Sequence, residues 1–318
     1  MGRVAALFPG QGSQYVGMGR DLAERWPVAR DVFETADSVL AVSLSSLCWE
    51  GPEETLRLTE NTQPALLAHS TAAWRILTAA GLEVEAVAGH SLGEYSAVVA
   101  GAGLSLSDAL TTVRLRGRLM QQAVPVGEGA MAAVIGLEGA DVTAACEEAS
   151  RSAADVVVAA NFNAPGQIVI AGSVGAVERA GVLCRERGAR RVLPLPVSAP
   201  FHSPLMAPAR DGLEPTLREL PFSDLDVPLY RNVDASPVQT GEEVRDGLIR
   251  QVDSAVLWTD TVRRLVGDGF DTFVEVGAGT VLGGLVRRVD RDAVCLAAGT
   301  AEQIEQAIES LVTAGPSE

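Results

Sequence analysis

Residues 84–97 read VEAVAGHSLGEYSA, and the architecture unfolds from them. The first six form a short apolar run of strand length. The last seven run on as a helix. A buried strand that turns directly into a helix is the building unit of a parallel α/β sheet. At the junction stands Gly89-His90-Ser91-Leu92-Gly93, a G-x-S-x-G pattern. In that context the pattern acquires chemical meaning. A serine on a sharp strand-to-helix turn is held above the sheet edge, and glycines let the backbone fold that tightly. The N–H of Leu92, at the helix N-terminus, is placed to bind an oxyanion.

Upstream, RVAALF (3–8) reads as a buried strand followed by the Gly-rich turn PGQGSQ (9–14), and helical spacing covers 17–42 and 53–80. Downstream, a helix is expected from Ser107 to about Val124. Near Gly127 the pattern changes. Strand 130–136, helix 141–151, strands 156–163 and 167–173, helix 174–188 and strand 189–197 follow in the order βαββαβ, that of a ferredoxin-like unit. The expected organisation is therefore an α/β large subdomain with a parallel sheet, from 1–126 and 199–318, carrying a ferredoxin-like insert at 127–198. After Pro200 the chain reads as loop-rich. It then resumes α/β character with helices 242–251 and 258–268, strand 271–276 and helix 280–288. EVGAGTVLGG (275–284) lacks a full dinucleotide fingerprint and reads as a turn with close packing. The tail GPSE (315–318) is expected to fray.

Composition narrows the function. The chain has 318 residues, 47% of them hydrophobic and 21% charged, the balance of a packed globule. A net charge of −16 argues against nucleic-acid partners and against an anionic membrane surface. Every basic residue is Arg, so lysine Schiff-base chemistry and a Walker loop are excluded. Cys48, Cys146, Cys184 and Cys295 show no metal-ligand spacing, so no metal site is expected, and free thiols fit a reducing cytoplasm. No apolar run approaches a membrane span.

A serine nucleophile needs a base, and there are three histidines. His69 lies in the apolar helical run PALLAHSTAAW and reads as a packed residue. His90 adjoins Ser91, but neighbours on a tight elbow point apart. His202, in the loop SAPFHSPLM between two prolines, is the best base by elimination. On helix 107–124, Ala109, Thr112, Val113, Leu119, Met120 and Ala123 fall within about 60° of Arg116, whereas Arg114 and Arg118 point away. Arg116 thus sits inside an apolar stripe. Buried there, it needs an internal carboxylate, several carbonyls or the carboxylate of a substrate. Gln11, in the turn after the first strand, lies where loops gather around a site, and its N–H is a candidate second oxyanion donor.

Taken together, FPGQGSQ (8–14), TQPALL (62–67), AGHSLGEYSA (88–97), RLRGRLMQ (114–121), GAMAAVIG (129–136), NFNAPGQIVIAG (161–172), SAPFHSPLM (198–206) and EVGAGTVLGGL (275–285) resemble the malonyl-CoA:acyl carrier protein transacylase family, over nearly the whole chain and in order. The resemblance implies an α/β-hydrolase-like subdomain with a ferredoxin-like insert. It implies that Ser91 is acylated, that His202 is its base, and that Arg116 binds the free malonyl carboxylate. It further implies oxyanion donors at Gln11 and Leu92. The histidine would be oriented by a main-chain carbonyl at or near Gln251 rather than by an acid. Gln63, His90, Met120 and Phe201 would line the substrate site. A Phe before the histidine resembles the malonyl-selective type. The partners implied are malonyl-CoA and an acyl carrier protein of fatty acid or polyketide synthesis. No cofactor is implied, and a monomer is the family's default. An acidic enzyme facing an acidic carrier needs a local basic patch, with Arg187, Arg190, Arg191, Arg287, Arg288 and Arg291 as candidates. The rival readings are an acyl hydrolase of the same fold, a generic serine esterase and a non-catalytic scaffold.

Overall fold

The computed structural model describes residues 2–197 and 199–313; the tail GPSE and Ser198 lie outside the described residues. A six-stranded sheet has the order β10-β9-β1-β2-β7-β8, with β1 Arg3–Phe8, β2 Ala86–Gly89, β7 Leu229–Tyr230, β8 Pro237–Val238, β9 Phe270–Val276 and β10 Val294–Ala298. All neighbours run parallel except β8, which pairs antiparallel with β7 at one edge. Parallel strands buried on both faces are largely apolar, with exceptions such as the buried Glu275 of β9. In β1, Phe8 enters the core on one side with Leu66, Tyr95 and Val113, and Leu7 enters the other with Trp258, Phe273 and Val286.

The helices of this part are α1 Arg20–Arg25, α2 Pro27–Leu40, α3 Leu44–Glu50, α4 Glu53–Leu56, α5 Thr59–Ala79, α6 Leu92–Ala100 and α7 Leu106–Gln122. After the small sheet, whose helices are α8 Gly139–Ala149 and α9 Val174–Glu186, come α10 Ala207–Glu219, α11 Gly241–Gln251, α12 Trp258–Gly267, α13 Val281–Val289 and α14 Ala301–Ile308. The small sheet comprises β3 Gly129–Ile135, β4 Val157–Ala164, β5 Gln167–Ser173 and β6 Arg191–Pro194. It is antiparallel in the order β4-β5-β3-β6. This is the ferredoxin-like order, joined to an α/β-hydrolase-like sheet. One face packs under α8 and α9 through Val134, Ile168, Ile170 and Val177. The other carries Met131, Ala160, Val169 and Ala171 and meets Phe201. The two parts are stitched together where Phe162 N–H donates to Val256 O at 2.9 Å and Val256 N–H donates to Ala160 O at 2.8 Å.

Several elements depart from the sequence reading. The helix expected over 17–42 divides at Trp26, which is extended (φ −121°, ψ 121°) because Pro27 follows it. The helix expected over 53–80 divides at the extended Leu58. The segment read as loop-rich after Pro200 contains the 13-residue helix α10, with Pro208 in its first turn, where proline is tolerated, and Pro215 further in. The strand expected over 189–197 is only four residues long. The two-residue strands β7 and β8, the strand β10, and the helices α3 and α14 are further elements that the sequence reading did not contain.

Candidate active site

Ser91 stands between β2 and α6 with φ 50° and ψ −105°, a strained conformation for a residue with a side chain. The turn is possible only because its flanks are bare. A Cβ on Gly93 would lie 1.9 Å from Phe8 O, and one on Gly89 would lie 2.0 Å from the Gly93 carbonyl. The elbow thus presses α6 against the end of β1. Its serine faces a cleft of about 530 Å³ that opens between the large sheet's strand ends and the free face of the small sheet.

Ser91 Oγ–H donates to His202 Nε2 at 2.7 Å. His202 Nδ1–H donates to Gln251 O at 2.9 Å and also reaches Ser254 O at 3.2 Å. Two main-chain carbonyls therefore fix the tautomer and leave Nε2 free to accept the serine proton. Burial, reinforced by the positive charge of Arg116, pushes His202 down to about 3, so the imidazole is neutral at working pH.

Arg116 is 2% exposed. Its Nη1 donates to Gln63 Oε1 at 2.8 Å and its Nη2 to Gln251 Oε1 at 2.9 Å. Nη2 also lies 3.3 Å from Ser91 Oγ. Among the described residues it forms no ion pair, and Nε has no hydrogen-bond partner. Of the environments open to a buried guanidinium, the internal carboxylate is thus set aside. Neutral amide oxygens hold it, and its charge faces the nucleophile.

The remaining expected residues are placed as follows. Gln11 and Leu92 both line the cleft around Ser91. The N–H of Leu92 is at the first position of α6, where a helix offers it no partner. Gln63 Nε2 points to Met120 Sδ at 3.9 Å, and Met120 and Phe201 line the cleft wall. His90 donates from Nε2 to Asn163 Oδ1 at 2.8 Å, which ties it to the small sheet and turns that nitrogen away from the serine. His69 is buried on α5 and bonds Gly299 O at 2.8 Å, a packing role. EVGAGTVLGG is not a phosphate loop: the Glu275 carboxylate occupies the start of α13, accepting from Gly283 N–H at 2.9 Å.

The basic candidates divide. Arg187 pairs with Glu148 at 2.6 Å and is committed within the small subdomain. Arg287 donates to Cys295 O at 3.0 Å. Arg288 donates to Pro165 O at 2.6 Å and to Gln167, a residue of the cleft rim. Arg190 lies over Gly136. Gly136 N–H donates to Gly166 O, so the turn after β3, under Arg190, bonds directly to the β4–β5 turn that Arg288 holds. Arg190, Arg191 and Arg291 are exposed and, among the described residues, form no ion pair.

Sequence reasoning missed the layer beneath the nucleophile. Asn232 Oδ1 accepts from Ser91 N–H at 2.7 Å, and its Nδ2 donates to Gly89 O at 2.7 Å, so one amide clasps both sides of the elbow. Glu94, fully buried, accepts from Asn232 N–H at 2.9 Å and from Gln251 Nε2 at 3.0 Å. Burial pushes its carboxyl up to about 7. Glu94 carried a signal of the kind that revealed Arg116: a charge among Leu92, Tyr95, Ala97 and Val98 on a buried helix. Asn232, in RNVDAS, carried none.

The acyl transferase domain family matches residues 6–309. A malonyl CoA-acyl carrier protein transacylase of Bacillus subtilis is 45% identical, covering 98% of each chain. The crystal structure of an acyl carrier protein S-malonyltransferase from Vibrio cholerae is 47% identical with a TM-score of 0.93, covering 96% of this chain and 99% of that one. A malonyl-transacylase structure solved in complex with its type II polyketide synthase acyl-carrier protein is 43% identical, with a TM-score of 0.94 and coverage of 97% and 99%. With a serine, a neutral histidine and an unpaired buried arginine converging on one cleft, this chain belongs to the malonyl-CoA–acyl carrier protein transacylases of the acyl transferase domain family.

Proposed function

We propose that this chain transfers a malonyl group from malonyl-CoA to the phosphopantetheine thiol of an acyl carrier protein through a malonyl-serine intermediate. The observation that carries the reading is Arg116: a fully buried cation, bound only to neutral oxygens, 3.3 Å from the nucleophilic hydroxyl. Such a group favours an acyl chain that ends in a carboxylate, which a planar guanidinium holds through two hydrogen bonds. A hydrolase that clears simple acyl groups, or a generic esterase, has no use for it.

The arrangement supports the following steps. His202 Nε2 takes the Ser91 proton as Oγ attacks the thioester carbonyl. The oxyanion is met by the N–H groups of Gln11 and Leu92. The C–S bond breaks, CoA leaves as the thiol with the proton from His202, and a malonyl ester remains on Ser91. The carrier's thiol then gives its proton to His202, attacks the ester and regenerates the serine. The exchange is redox-neutral and balances with no cofactor or metal. Phe201 fills the space that an α-methyl group would need, which favours malonyl over methylmalonyl. The cytoplasm, with its CoA thioesters, is the matching location. No described helix is long and apolar enough to cross a membrane.

Incubation with malonyl-CoA is expected to add one malonyl mass to the protein, mapped to Ser91 and absent in Ser91→Ala. Added carrier protein should then discharge it. Rapid release of free malonate without carrier would instead support the hydrolase, and no adduct at all would defeat both.

A further inference from the structure

Arg116 has no anion against it, yet an isolated buried cation is unstable. The nearest arrangement that compensates it runs through an amide. Gln251 Oε1 accepts from Arg116 Nη2 at 2.9 Å, and Gln251 Nε2 donates to Glu94 Oε2 at 3.0 Å and to Ser91 O at 2.9 Å. The orientation of that amide is forced. Reversed, it would aim its NH2 at a guanidinium that can only donate, and its oxygen at a carboxylate and a carbonyl that can only accept. Glu94 forms no direct ion pair among the described residues, and one of its oxygens, Oε1, has no hydrogen-bond partner. Of the two cations whose charge acts on Glu94, Arg231 acts more strongly than Arg116, but its guanidinium is already paired with Asp234 at 2.7 Å.

We propose that Glu94 is a positioning residue, the counter-ion of Arg116 held one amide away, whose separation balances the guanidinium's charge while leaving its donors available to the substrate carboxylate. This rests on the transfer reading above. The physical consequence concerns grip. A carboxylate directly on Arg116 would compete with malonyl. With no anion at all, Arg116 would hold malonyl too tightly and disfavour a proton on His202 more strongly. The relayed pair lies between these limits. Acyl groups without a carboxylate are indifferent to it.

The test is competitive inhibition by free malonate, measured with Glu94→Gln at a pH above the value of about 7 to which burial pushes Glu94. Malonate is expected to bind ~10- to 100-fold more tightly, the scale for removing one unit charge about 6–12 Å away at an effective dielectric of ~20. Transfer kcat should fall, and KM for acetyl-CoA should stay the same. Glu94→Asp, which keeps the charge, should retain malonate affinity close to that of the parent. Gln251→Met keeps the main-chain carbonyl used by His202 but removes the amide whose hydrogen bond helps keep Glu94 charged, so Glu94 shifts toward its neutral form and malonate should tighten too; this variant serves if Glu94→Gln does not fold. A purely structural role predicts the opposite sign: weaker malonate binding, or equal losses with malonyl-CoA and acetyl-CoA. Either result, or unchanged affinity, overturns the proposal. A parent enzyme that forms no malonyl-serine adduct overturns the transfer reading instead.

Discussion

His202 is the residue whose chemistry depends most on its surroundings. Its ordinary value of 6.5 is pushed down to about 3, first by burial and next by the Arg116 charge. The sign is that of a group kept neutral: the unfolded chain takes the proton first, so this histidine contributes stability above 6.5 that is lost as the pH falls toward 3. In an NMR titration of the imidazole, His202 should remain in the neutral Nδ1–H form through the pH range where an ordinary histidine titrates. Arg116→Ala should raise its pKa, since the nearby positive charge is gone. A His202 that titrates normally in the parent would show that the guanidinium and the burial do not act on it as described. Ser91 and Arg116 were legible as residues because each violates its local pattern: a serine inside a glycine-flanked turn, and a charge inside an apolar stripe. Glu94 violates its pattern in the same way. Asn232 is a polar residue in a polar loop, and only its contacts distinguish it.

At the scale of elements, the strand–turn–helix from β2 to α6 is the feature on which the site is built. Its two glycines serve close approach of backbones, at Phe8 O and at the Gly93 carbonyl. Gly93→Ala should therefore push α6 away from β1. The expected destabilisation is about 1–3 kcal/mol or more, read as a lower midpoint in urea unfolding, with activity lost beyond what the stability change explains because the Leu92 N–H moves with the helix. A neutral substitution would mean that the approach is relaxed in solution. Elements with strong periodicity, such as α7 with Arg116 on its buried stripe, were readable to within a residue or two. Trp26 shows how one pre-proline residue ends a helix whose apolar pattern continues. The helix α10 was obscured by its prolines, Pro208 in the first turn and Pro215 further in, and the strands β7 and β8, two residues each, are defined by their neighbours rather than by their own sequence.

At the scale of the molecule, a net charge of −16 opposes approach to an acidic carrier, so the local field at the cleft must favour it. Arg190 and Arg191 are exposed arginines of the small subdomain with no ion pair among the described residues, and Arg190 lies over the turn after β3, which bonds to the β4–β5 turn held by Arg288. Arg190→Glu together with Arg191→Glu should raise KM for the carrier protein several-fold, with a marked dependence on salt, and leave KM for malonyl-CoA unchanged. Equal effects on both substrates would remove these arginines from the docking surface. The amino-acid sequence alone determined the parallel α/β framework, the inserted antiparallel sheet, the serine elbow and the buried arginine, because each is written in neighbouring residues through periodicity, turn chemistry and polarity. Only the tertiary structure decided how they act together. His202 reaches Ser91 across 111 residues of chain, and Gln251 reaches the Ser91 carbonyl across 160. Which carbonyl orients the base, which amide carries charge from Glu94 to Arg116, and which arginines stay free are settled by packing between distant segments, and no local pattern encodes that packing.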